Sequence, residues 1–251
     1  MTPPSGELYR TLLRRALGGR SIPASLVLAL VIGVASGGLA ARYLAAGVGD
    51  RPSSGLLAWL LVHFPHSAMY VLGLMAALQL ATAYGDDARA GWTVPYFAAG
   101  GTRDRYILAL AAGGWSASAL EYLLATSAWL ATATSLGRPA SLLPAGAAFL
   151  PVALLWLASP CAFAAAAVAL TARTGRSVGL MVGVMLLPWL VLAAIRPDPD
   201  IGAPAWLPWL AIASPPYQAD ANAGTLGFII AYPALLLGIA WLAAPGRLLR
   251  V

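Results

Sequence analysis

Apolar residues in this chain come in blocks about as long as a bilayer is thick, and that limits the folds open to it more than any other feature. A hydrocarbon core of about 30 Å takes about twenty helical residues. Blocks near that length lie at about 22–43, 66–84, 106–132, 147–170, 178–195 and 226–244. In lipid a spanning segment must satisfy its own backbone hydrogen bonds, and an α-helix does so within itself. The remaining composition agrees: of 251 residues 60% are hydrophobic and 10% charged, against about 25% charged in a soluble domain. The sequence therefore predicts an all-α integral membrane protein of six transmembrane helices, folded as one domain over residues 22–251.

Residues 1–21 differ in character from the apolar blocks. Leu8, Leu12, Leu13 and Leu17 recur near helical spacing, with Arg10, Arg14, Arg15 and Arg20 around them. Such a segment is expected to lie as an amphipathic helix along the membrane face. No cleavable signal peptide is read ahead of the first span, which is expected to be retained.

All positive side chains are arginines, since the chain has no lysine. With the richness in Ala, Gly, Leu and Pro, this suggests a GC-rich bacterial genome. The net charge of +6 could suggest nucleic acid. The arginines instead sit in short clusters beside apolar blocks, as topology signals do, so no nucleic-acid partner is expected. With the N-terminus inside, the inner segments hold Arg10, Arg14, Arg15, Arg20, Arg89, Arg103, Arg105, Arg173, Arg176, Arg247 and Arg250. The outer segments hold only Arg42, Arg51, Arg138 and Arg196. This bias places both termini in the cytoplasm and the chain in a bacterial inner membrane.

Two outer segments are more than turns. Residues 51–65 are apolar enough for the interface. Residues 196–225 carry Pro197, Pro199, Pro204, Pro208, Pro215 and Pro216 around an apolar piece too short to span. It reads as re-entrant or interfacial, with Trp206 and Trp209 at headgroup level.

The segment between the second and third spans, YGDDARAGWTVPYFAAGGTRDRYILA, is the most informative. Asp86 and Asp87 close the second span, Gly91 follows, and Trp92, Val94, Tyr96 and Phe97 make a short amphipathic stretch before Arg103 and Arg105. Apolar side chains at the end of a membrane bundle mark a protein partner or the membrane surface.

This pattern resembles the ABC-2 type permeases of ABC transporters. In them an acidic end to the second span, often glutamate, is followed by a glycine, a short coupling helix and a Ser/Thr-Arg-x-x-Tyr-like start to the third span. Here those positions hold Asp86-Asp87, Gly91 and Thr102-Arg103-Asp104-Arg105-Tyr106. The six-span layout, the amphipathic start and the membrane-embedded piece before the sixth span match the same family, so the resemblance covers nearly the whole chain. It implies a transport subunit, expected to be an exporter, and not an enzyme. It also implies a second permease subunit, homodimeric or heterodimeric, and two copies of a soluble ATPase that binds ATP and Mg; this chain would hold no cofactor. The coupling residues would be Asp86, Asp87, Gly91, Trp92, Tyr96, Phe97, Arg103 and Arg105. Without lysine the chain cannot form the phosphate-binding Gly-x-x-x-x-Gly-Lys-Ser/Thr loop itself. The cargo class stays open among lipid, peptide, drug and haem-related groups; LTARTGRSVGLMVGVMLLPWLV loosely resembles part of the haem-exporter permease of cytochrome c maturation.

Glycines four apart allow close helix approach. Gly33 with Gly37, and Gly175, Gly179 and Gly183, are such sets. Packing within the chain and packing between subunits are both open for them. The family resemblance, in which spans one and five form the subunit interface, points to the second.

Glu121 is the one acid inside a span, about 22 Å along the helix from Tyr106 and so in the outer half. An intramembrane carboxyl marks a pathway or a buried hydrogen bond. Gln79 and Ser116 are weaker candidates for the same lining. Cys161, the single cysteine, reads as a small buried hydrophobe. His63 and His66 are the only histidines. They supply too few ligands for zinc or a bis-histidine haem, so no metal is expected. The competing function, a membrane-anchor or electron-transfer subunit of a respiratory or haem-handling complex, is disfavoured for the same reason.

Overall fold

A computed structural model describes residues 24–46, 64–89, 102–136, 150–171, 174–181 and 223–247, together with Glu7, Arg10, Leu61, Phe97 and Gly183. Glu7 and Arg10, from the segment expected to be amphipathic, are helical and exposed. Six helices are defined: α1 (Ala24–Ala45), α2 (Phe64–Arg89), α3 (Arg103–Ser135), α4 (Ala158–Thr171), α5 (Thr174–Met181) and α6 (Ala223–Arg247). Among the described residues there is no strand.

Three helical stretches, Ser25–Ala45, Arg103–Ser135 and Leu150–Thr171, are long and apolar enough to cross a membrane. Shorter apolar helical stretches cover Val71–Ala83 and Ile230–Ala243. These are features of a membrane protein. Most of the fifth expected span, and the proline-rich piece before the sixth, lie outside the described residues.

Proline accounts for two local departures from a simple rod. Pro65 sits in the first turn of α2, where its missing N–H has no helical partner to lose. Pro160 cannot donate to the Trp156 carbonyl, and the helix that starts at Leu150 is broken by a turn at Leu157 before α4 begins. The break is packed rather than exposed. Leu157 and Pro160 are buried, and a Cβ added to Gly73 of α2 would lie 2.8 Å from Trp156 and 3.1 Å from Pro160.

The contacts give the helix directions. Gly33 faces the Ala125 carbonyl and Gly37 the Trp129 carbonyl, so α1 and α3 run the same way. Phe64 stacks on Trp129, centroids 6.3 Å apart, while Leu80 covers Gly114; α2 therefore runs opposite to α3. The stretch before α4 (Val152, Ala153, Trp156) shares a buried cluster with the start of α2 (Phe64, Ala68, Met69), and α4 itself shares a second one with the later part of α2 (Ala76, Ala77, Leu80), so α4 runs with α2. Leu236 and Ala240 of α6 belong to the same buried cluster as Tyr106, Leu110 and the alanines of α4. Directions alternate along the chain through α1, α2, α3 and α4.

Burial separates a central helix from a peripheral one. In the Leu150–Thr171 stretch 78% of the apolar window is buried, against 33% for Ser25–Ala45. The run Ala164–Ala165–Ala166–Ala167 explains the first: methyl side chains let α2, α3 and α6 approach from several sides, and lipid gives no hydrophobic drive to substitute for that contact. The second leaves Val27, Leu28, Val31 and Ile32 of α1 exposed, a face that suits lipid and would be unfavourable in water.

Candidate functional site

Of the residues singled out between the second and third spans, the structure brings Phe97 and Arg103 together at the start of α3. α2 continues to Arg89, so Asp86 and Asp87 lie in its last turn. Gly91, Trp92 and Tyr96 lie outside the described residues.

Phe97 is helical and half-buried. Its ring lies 6.3 Å from that of the buried Tyr106, tilted by 53°, and the Arg103 guanidinium carbon is 5.8 Å from its centroid. A cation at that distance over an aromatic face is attracted by the ring quadrupole. The expectation that Phe97 is an exposed apolar contact is thus corrected: its ring is engaged by α3 of its own chain. Arg103 is half-buried beside it, whereas Arg105 is exposed. Arg103 and Tyr106 lie three residues apart, on one helix face, which is why both reach Phe97.

The first turn of α3 makes a second connection. Thr102 is the N-cap with extended backbone (φ −99°, ψ 153°), and its side chain makes no cap bond. Its hydroxyl is turned to the Asp104 carboxylate. Tyr106 N–H donates to the Thr102 carbonyl at 3.1 Å, closing the first helical turn. Asp104 in that turn also complements the positive end of the helix.

Glu121 is 9% exposed and hydrogen-bonds with Ser25. Since Gly33 meets Ala125, the level of Ser25 on α3 is near Ala117, about 21 Å along the helix from Arg103. Glu121 lies in the outer half of α3 by residue count, yet beside the first turn of α1 by register. Gln79 is exposed on α2, Ser116 is half-buried on α3 and Glu121 is buried. Tyr122 Oη and Thr126 Oγ1, one turn apart, are buried without a hydrogen-bond partner. Trp115 Nε1 donates to the Leu154 carbonyl at 2.9 Å, just before the break at Leu157.

The two glycine sets divide. A Cβ on Gly33 would strike the Ala125 carbonyl, and one on Gly37 would lie 2.5 Å from the Trp129 carbonyl. Of the two readings left open for them, both glycines thus take packing within the chain, against α3. Among the described residues, Gly175, Gly179 and Gly183 have nothing within 4 Å of an added Cβ. The opposite side of α5 is anchored, with Ser177 and Met181 buried and the Thr171 and Ser177 hydroxyls 2.6 Å apart.

Cys161 is buried and free. His63 and the side chain of His66 lie outside the described residues. Comparison with protein-family models and with curated sequences finds no match.

Proposed function

We propose that this chain is the membrane-spanning permease subunit of an ABC exporter of the ABC-2 type, driven by a separate soluble ATPase. The observation that carries the reading is the segment between α2 and α3: an acidic helix end, a glycine, an aromatic stretch and the Thr102-Arg103-Asp104-Arg105-Tyr106 start of α3. Its attachment to a single long helix supports the reading, because α3 leads without interruption from that segment to Ser135. A partner that moves the segment therefore has a stiff element to act on.

In this reading six helices span a bacterial inner membrane with both ends in the cytoplasm. The alternating helix directions and the arginine bias support that topology. Two ATPase subunits supply ATP and Mg chemistry, and a second permease subunit completes the complex. The open glycine ridge of α5 supports contact with that second subunit.

The test is co-purification. The chain expressed with the P-loop ATPase of its own operon should bring that protein down from detergent-solubilised membranes and show no ATP turnover alone. Turnover by the rigorously purified single chain, or its failure to hold the ATPase, would overturn the reading.

A further inference from the structure

We infer that Phe97 is a positioning residue that ties the segment between α2 and α3 to α3, and not a residue that contacts the ATPase. The inference rests on the permease reading and adds to it how this segment drives the bundle.

A ring that anchors a partner must present its face. That of Phe97 is engaged from within, with Arg103 over it at 5.8 Å and Tyr106 beside it at 6.3 Å. Arg103 and Tyr106 are rigidly placed, since both belong to the first turn of α3 and Tyr106 is 3% exposed. A displacement of Phe97 is therefore passed to the start of α3. The same turn shares a buried cluster with α6, through Tyr106, Leu236 and Ala240. Further along, α3 is in backbone contact with α1 at Gly33 and Gly37. One helix thus joins the segment at one end, α6 beside it, and α1 at the other end. Loss of the Phe97 contact should disconnect movement of the segment from movement of α3 while leaving the rest of the segment free to bind.

The complex of this chain with its co-purifying ATPase is the material for the test. Two quantities are measured: affinity for the ATPase, and the rate at which a membrane-impermeant maleimide labels Ser135→Cys, at the exposed far end of α3, in a Cys161→Ala background with and without ATP. In Phe97→Ala the affinity should stay within about twofold, well inside the 1.4 kcal/mol that a decade represents, and the ATP-dependent change in labelling should disappear. Arg103→Gln, which leaves the apolar packing in place, should show the same pattern and guards against a folding defect in the alanine variant. Weaker binding by about tenfold or more in both variants would make Phe97 and Arg103 contact residues and overturn the inference. Unchanged binding with an intact ATP response, or a parent complex whose labelling ignores ATP, would overturn it too. A parent chain that binds no ATPase would instead remove the permease reading itself.

Discussion

At the scale of single residues, glycine positions separate contact from mere helix composition. Gly33 and Gly38 lie on the same helix, yet only Gly33 faces a backbone carbonyl at Ala125; Gly38 faces open space. A carbonyl held in α3 cannot turn away as a flexible side chain could. Gly33→Ala should therefore destabilise the protein by about 1–3 kcal/mol, the usual cost of overpacking, whereas Gly38→Ala should be neutral or slightly stabilising. Thermal unfolding of both variants in one detergent is the check, and equal midpoints would refute it. Tyr122 provides the converse case. Its hydroxyl is buried without a hydrogen-bond partner among the described residues, and an unsatisfied buried group costs about 1–3 kcal/mol. Tyr122→Phe should raise the unfolding midpoint; a lower midpoint would show that an ordered water or a rearranged neighbour satisfies the hydroxyl.

At the scale of elements, the short α5 is held to α4 by few interactions across the two residues that separate them. The Thr171 and Ser177 hydroxyls are 2.6 Å apart, and Thr171 also donates to the Ala167 carbonyl at 2.8 Å. Removing the Ser177 hydroxyl should cost about 1 kcal/mol, a typical net hydrogen bond. If α5 opens as a unit, that corresponds to roughly fivefold faster amide exchange over 174–181, with α4 unchanged. Equal exchange in Ser177→Ala and the parent would mean that burial of Met181, and not this bond, holds α5 in place. The break at Leu157 illustrates how an element can be legible in type and not in form. Residues 147–170 read as one span, and the chain is helical from Leu150 to Thr171. The turn ahead of Pro160 was implicit in the proline, but its fit against Gly73 depends on how α2 lies beside it.

At the scale of the whole molecule, topology and assembly are the properties to measure. Arg138 follows α3 and Arg173 lies between α4 and α5, so single cysteines at these positions, in a Cys161→Ala background, should react with impermeant reagents from opposite sides of the membrane. Reaction from one side would refute the alternating arrangement. Assembly should depend on the exposed face of α5. Gly179→Leu should lower the yield of the permease dimer, while Gly238→Leu, also with open space around its added Cβ but on α6, should leave it unchanged. Equal dimer yields on size-exclusion chromatography with light scattering would remove α5 from the interface.

The sequence by itself determined that this chain is helical and apolar enough for a membrane. It also located most helices to within a few residues, because span length, arginine placement and proline chemistry are local or compositional properties. Phe97, Arg103 and Glu121 stood out in it as residues that require an explanation. Their partners were not legible. Whether Phe97 faces outward or onto Arg103 and Tyr106 depends on how the segment before α3 folds back. Whether Gly33 or Gly179 meets another helix depends on which face each helix turns inward, and both glycine patterns look alike in one dimension. The level of Glu121 beside Ser25 comes from helix register. Register is set by side-chain packing among four or more helices at once, and no local pattern encodes that.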